Sequence, residues 1–61
     1  MAKGKIVHTE HGEHKSVDVE KASYPLDGTW YQNRDRDTGQ VTTQTKNRAY
    51  AVEQARKQTG N

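Results

Sequence analysis

Apolar and polar residues alternate in the first half of the chain, and the alternation predicts two strands. Residues 16–20 change between apolar and polar at every position, as a half-buried strand requires, and residues 5–9 are rich in β-branched side chains. Residues 21–28 contain a proline and an Asp-Gly pair, which are typical of a loop. We therefore expect two short strands followed by a loop.

The second half predicts a hairpin. Residues 29–34 carry two aromatic side chains near their start, and residues 40–45 contain three threonines and one valine. Between them, Asp37 can close an Asx-type bond and Gly39 can take the positive φ of a hairpin turn. Pairing across this turn predicts one face made of Trp30, Gln32, Arg34, Val41, Thr43 and Thr45. The other face would carry Tyr31, Asn33, Thr42 and Gln44.

Residues 46–58 predict a helix, with Thr45 or Asn47 as its N-cap and Gly60 as its end. At about 100° per residue, one side of this helix carries Arg48, Ala51, Val52, Ala55 and Thr59. These side chains are mostly small, so the helix can lie close to a sheet, with Trp30 and Val41 as the expected partners.

The predicted fold class is α+β: a small antiparallel β-sheet of three or four strands packed against one C-terminal α-helix. We expect one domain over residues 1–61, with disordered ends at residues 1–4 and 59–61. Leucine, isoleucine and valine together supply only seven of 61 residues, and phenylalanine is absent, so the core must be thin. A chain of this length buries only about 60% of its unfolded surface and cannot enclose a deep catalytic pocket. We therefore expect neither an enzyme nor a small-molecule substrate.

The residue types also argue against several other classes of protein. The chain has no cysteine, which argues against a disulfide framework and a thiolate zinc site and favours the cytoplasm. It has no long apolar run, so we expect no signal peptide and no membrane partner. His8, His11 and His14 recur at every third position, a spacing that alternates faces in a strand, so we expect solvated histidines without a metal. The acidic tip around Asp35 and Asp37 lacks the ligand spacing of a calcium loop, and we expect no cofactor.

Charge is distributed unevenly along the chain. Residues 1–30 hold four lysines against five acidic residues, whereas residues 31–61 hold six basic residues against three acidic ones. A basic second half favours a polyanionic partner. Asparagine and glutamine can bond adenine, and arginine or lysine can bond guanine or phosphate. The candidate DNA-binding residues are Tyr31, Asn33, Arg34, Arg36, Gln44, Lys46 and Arg48. The alternative is an ordinary solvated sheet face.

Residues 28–57 combine an aromatic strand, an Arg-Asp-x-x-Thr-Gly hairpin tip, a second strand and a short alanine-rich helix. This segment resembles the N-terminal arm-type DNA-binding domain of phage-type tyrosine recombinases. The resemblance implies a three-stranded sheet that packs on one helix and enters the major groove. Gln40, Thr42, Thr43 and Gln44 are neutral where that family is usually more basic, and we expect no catalytic domain and no recombination by this chain itself. The strand-strand-helix pattern is also similar to small uncharacterised bacterial domains.

The leading hypothesis is a small non-enzymatic accessory protein, encoded by a phage or prophage, that binds double-stranded DNA through its sheet face. The alternative is a protein-interaction module that acts through a sheet edge or through the helix surface around Tyr50. The orientation of Trp30 and Tyr31 bears on the choice, because DNA loses its site if the polar face is covered.

Overall fold

The computed structural model describes residues 4–60, which form four strands and one helix. The elements are β1 (Lys5–His11), β2 (Ser16–Tyr24), β3 (Gly28–Asp35), β4 (Val41–Thr45) and α1 (Arg48–Thr59). The strands make one antiparallel sheet in the order β1-β2-β3-β4. The expected α+β class is confirmed, and the two strands of the first half belong to the same sheet as the hairpin.

β2 is longer than the alternation pattern predicts. Residues 21–24, which were expected in a loop, continue the strand and pair with the first residues of β3. The connection is thereby reduced to residues 25–27, and Gly28 leaves it with a φ of 82°. The proline and the Asp-Gly pair mark the turn itself, while long-range pairing extends the strand up to it.

Both ends of α1 are capped by the residues that the sequence indicates. The side chain of Asn47 accepts a hydrogen bond from the backbone N–H of Tyr50 at the N-terminus. Gly60 has a φ of 85° at the C-terminus. Of the ends expected to be disordered, residues 1–3 and 61 lie outside the described range. Thr59, in contrast, is the last residue of α1 and is buried.

A small core lies between α1 and one face of the sheet. Val17 and Val19 of β2 pack against Ala51 and Ala55 of α1, and all four side chains are fully buried. The predicted helical phase is confirmed, because the alanines face the sheet and Tyr50 is 48% exposed. Three partly buried side chains surround this core: Val7, Tyr31 and Val52. We call the face of the sheet under α1 the helix side and the opposite face the open face.

The predicted orientation of β3 is wrong. Asn33 pairs with Val19 and donates to the backbone carbonyl of Ala51, so it lies on the helix side together with Tyr31. Trp30, expected against the helix, therefore lies on the open face. The physical reason is that Val17 and Val19 are the large apolar pair that α1 covers, and the β2–β3 register carries Asn33 inward with them.

A β-bulge changes the register of the second hairpin. Arg34 pairs with Val41 as predicted, but the register then shifts, so that Gln32 pairs with Gln44 and Tyr31 with Thr45. Because of this shift, Gln44 lies on the open face beside Gln32. Thr42 lies on the helix side, where its hydroxyl donates to Gln58.

The far end of α1 lies against the turn between β1 and β2. A Cβ atom on Gly12 would be 2.2 Å from the carbonyl oxygen of Thr59, so only glycine permits this approach. The helix therefore begins beside the end of β4 and ends at the β1–β2 turn. Within residues 4–60 it is the only helix, and it is neither long nor apolar enough to cross a membrane.

Candidate functional site

The centre of the open face is a buried polar network. Glu20 is fully buried, accepts a hydrogen bond from the side-chain amide of Gln32 at 2.8 Å, and pairs with the guanidinium of Arg34 at 3.2 Å. Arg34 also donates to the backbone carbonyl of Gly39 at 2.6 Å. These contacts use Nε and Nη1 of Arg34, and the carboxylate of Glu20 compensates its charge within the protein.

A second ion pair lies next to this network. Arg36 donates to the carboxylate of Asp18 at 2.7 Å, and the hydroxyl of Thr9 donates to the same carboxylate at 2.8 Å. The hydrogen bond from Arg36 is the largest effect that lowers the pKa of Asp18. Arg36 is thus also paired with an acidic side chain, which offsets its charge.

The charged hairpin tip has a structural role. Asp35, and not Asp37 as predicted, closes the turn, because its carboxylate accepts from the backbone N–H of Asp37 at 2.9 Å. Gly39 takes the positive φ expected of it, 76°.

The histidines of β1 contact neighbouring side chains. His8 contacts Glu10, and His11 contacts Ser16 at 3.1 Å. Within residues 4–60, no three potential metal ligands come together.

Uncompensated positive charge collects at the opposite end of the sheet. The pairing of β1 with β2 puts Lys5 directly opposite Lys21, and the row continues through Tyr31 to Thr45, immediately before Lys46. Four exposed cations lie at this end: Lys5, Lys21, Lys46 and Arg48. None of the four forms an ion pair with a carboxylate of residues 4–60. We call these four residues the basic end.

The first turn of α1 adds to the positive potential of the basic end. It contains no acidic residue that would offset the partial positive charge of the helix N-terminus. The neighbouring β2–β3 turn contributes one carboxylate, Asp27. Positive charge therefore remains in excess at the end of the sheet where β1 begins, β4 ends and α1 starts.

A shallow aromatic cleft opens beside the basic end. It has a volume of about 260 Å³ and is lined by Tyr24, Asp27, Trp30, Tyr31, Gln32 and Gln44. The ammonium group of Lys46 lies 5.1 Å from the centroid of the Trp30 ring, within the range of a cation–π interaction. This cleft joins the open face to the basic end.

The seven predicted DNA-binding residues are therefore dispersed. Asn33 is fully buried and Tyr31 packs on the core, so neither belongs to an outward polar face. Arg34 and Arg36 are held by carboxylates, as described above. The residues that remain accessible near one another are Gln44, Lys46 and Arg48.

Sequence reasoning missed Lys5, Lys21 and Tyr24 as members of this region. The first two lie in an acidic half of the chain, and Tyr24 was expected in a loop. Their proximity to Lys46 follows from the strand register, which links residues far apart in sequence.

No family model, curated protein or solved structure matches the chain. The resemblance of residues 28–57 to a recombinase arm-type domain accordingly stays a sequence-based expectation.

Proposed function

We propose that this chain is a small non-enzymatic DNA-binding protein, acting in the cytoplasm, that holds DNA phosphates with its basic end. The observation that supports the proposal is the placement, at one end of the sheet, of four exposed cations without carboxylate partners in the described chain. A phosphate backbone supplies the negative charge that these side chains lack, and its binding releases counterions.

The proposed contact surface differs from the one that the sequence alone predicts. Lys46 and Arg48 are retained, whereas Lys5 and Lys21 replace Arg34 and Arg36, whose charges are compensated by Glu20 and Asp18. Because all four cations act on phosphate, the affinity they provide carries no sequence information.

Salt dependence tests this proposal. Labelled DNA is titrated with the protein at several salt concentrations and followed by fluorescence anisotropy. If all four cations contact phosphates, the plot of log K against log salt should have a slope of about −3.6 for duplex DNA or about −2.8 for a single strand. Binding that is absent even at low salt would refute the proposal.

Matched lysine substitutions locate the contact. Lys21→Gln should weaken binding and flatten the salt slope by roughly one unit. Lys15→Gln is the control, because Lys15 lies at the other end of β2, 3.9 Å from Asp35. If the two substitutions reduced affinity equally, general attraction by the net charge would explain binding better than the basic end.

The second candidate function is protein binding by strand addition at the β4 edge. Residues 41–45 of this edge strand contain no charged side chain, whereas the other edge strand, β1, contains Lys5 and Glu10. A second copy of the chain supplies the same uncharged edge, so sedimentation equilibrium should detect a dimer.

Gln44→Lys discriminates the two candidates. A lysine in β4 should suppress edge pairing, since charged side chains protect edge strands. The same substitution adds a cation next to the basic end and should leave DNA binding intact or strengthen it. A chain that stays monomeric at all concentrations would contradict pairing of β4 with a second copy.

A further inference from the structure

Two aromatic side chains lie side by side on the open face because small residues lie opposite them. Tyr24 of β2 pairs with Gly28, and Trp30 of β3 pairs with Ala22. Tyr24 and Trp30 are therefore diagonal neighbours across the two strands, close enough for aromatic side chains to interact. Gly28 has no side chain and Ala22 has only a methyl group, so the residues opposite the two rings leave them accessible.

The cleft beside these rings fits one flat polar ring better than a large ligand. Its volume of about 260 Å³ is below the roughly 300–1,000 Å³ of pockets that enclose drug-sized molecules. The amide groups of Gln32 and Gln44 and the carboxylate of Asp27 line it together with the aromatic rings. A nucleobase has both a face for stacking and an edge with hydrogen-bond donors and acceptors.

We propose that the preferred ligand of the basic end is single-stranded DNA, with an unpaired base stacked on Trp30 and bordered by Tyr24. This inference rests on the proposed function and names the form of DNA bound. Stacking of a base on Trp30 displaces the ammonium of Lys46 from the ring, and that cation then pairs with a neighbouring phosphate. Lys21, which shares the helix side with Tyr31, and Arg48 at the start of α1 hold phosphates further along the strand.

Duplex DNA fits this surface less well. Its bases are stacked on one another, so their faces are not accessible to an aromatic side chain, whereas the bases of a single strand are. Asn33, the residue best suited to bond an adenine edge in a groove, is fully buried beneath α1. The accessible chemistry is thus aromatic stacking with phosphate contacts, which is the combination that binds single strands.

Intrinsic fluorescence gives a direct readout, because Trp30 is the only tryptophan in the chain. The full chain is titrated with a single-stranded deoxythymidine oligonucleotide and, separately, with the matching thymidine–adenine duplex of equal length. Stacking predicts that the single strand quenches Trp30 and binds at least about tenfold more tightly than the duplex.

Substitution of the two aromatic residues tests the contact by anisotropy of labelled oligonucleotide. Trp30 and Tyr24 lie outside the buried core, so each can be replaced by leucine. Circular dichroism verifies that the Trp30→Leu and Tyr24→Leu variants are folded. Trp30→Leu should weaken single-strand binding by roughly 5- to 150-fold, as expected for the loss of one stacked base. The control is Tyr50→Leu, because Tyr50 is an exposed tyrosine of α1 and should not affect affinity.

The outcomes separate this inference from the proposed function. Failure of both forms of DNA to bind at low salt overturns the two together. Salt-dependent binding that Lys21→Gln weakens, but with equal or higher affinity for duplex and no change in Trp30 fluorescence, overturns the single-strand inference and leaves the proposed function standing. A folded Trp30→Leu variant with unchanged affinity for the single strand also overturns the inference.

Discussion

The side-chain amide of Asn33 donates to the backbone carbonyl oxygen of Ala51 across 2.9 Å, at the interface between β3 and α1. Both residues are fully buried. The side-chain carbonyl oxygen Oδ1 of the same asparagine has no hydrogen-bond partner within residues 4–60. A polar residue therefore occupies a position in the thin core where an apolar one would be expected, and only its amide group is hydrogen-bonded.

Two substitutions of Asn33 should differ strongly in their effect on stability. Asn33→Asp should destabilise the protein by more than about 3 kcal/mol, because it buries a carboxylate against a carbonyl oxygen. Asn33→Leu should change the free energy of unfolding by less than about 1 kcal/mol, since loss of one hydrogen bond is offset by removal of an unpaired carbonyl. Urea denaturation measures both. A large loss of stability in Asn33→Leu would show that the bond to Ala51 is worth more than this comparison allows.

The pair formed by Glu20 and Arg34 should be strongly coupled. Glu20→Ala should cost about 3–5 kcal/mol, because it leaves a guanidinium that is only 21% exposed without its carboxylate. The double variant with Arg34→Ala should recover part of that loss, as measured in a double-mutant cycle by urea denaturation. Simple additivity of the two single variants would indicate that Gln32 and solvent, rather than the ion pair, determine the energetics.

Acid should weaken the fold through Asp18. Its pKa is lower in the folded protein than the ordinary value of 3.8, chiefly through the hydrogen bond from Arg36. The folded state thus binds the proton less readily than the unfolded state. The resulting stabilisation is complete above the unfolded pKa and is lost as the pH falls through the folded pKa.

Arg36→Gln provides the test of this pH dependence. Without the guanidinium, the pKa of Asp18 should rise towards its ordinary value, and the fall in stability below about pH 4 should become shallower. Urea denaturation at a series of acidic pH values, with an NMR titration of the Asp18 carboxyl, measures both effects. An unchanged pKa for Asp18 in the variant would mean that the hydrogen bond from Thr9, rather than the one from Arg36, keeps it low.

Glycine has two different roles that substitution by alanine should separate. Gly12→Ala should destabilise by about 1–3 kcal/mol or more, since the new Cβ would overlap the carbonyl oxygen of Thr59 and push the end of α1 away. Gly39→Ala should cost about 1–2 kcal/mol from backbone strain at positive φ, because the space around it is open. Hydrogen exchange of the last turn of α1 should accelerate in Gly12→Ala alone. Equal acceleration in both variants would exclude a local clash as the cause.

The sequence by itself determined the features that depend on residues near one another in the chain. The turn at Gly39, the helix caps at Asn47 and Gly60, and the buried alanine stripe follow from local preferences and from the helical period. These signals also sufficed for the α+β class, because two periodicities in one short chain allow few arrangements.

Only the tertiary structure decided which face of the sheet α1 covers. Sequence alternation divides the residues of a strand into two sets, one for each face, but does not say which set faces the helix. The aromatic side chain of Trp30 made its own set look like the one that α1 covers, although that set lies on the open face. The choice depended on Val17 and Val19, which lie a whole strand away and are aligned with Asn33 by the register. A single bulge then moved Gln44 to the opposite face from Thr42, because the side-chain period of a strand is two. The basic end arises for the same reason: Lys5, Lys21 and Lys46 are far apart in sequence, and strand pairing across the whole sheet places them at the same end of it.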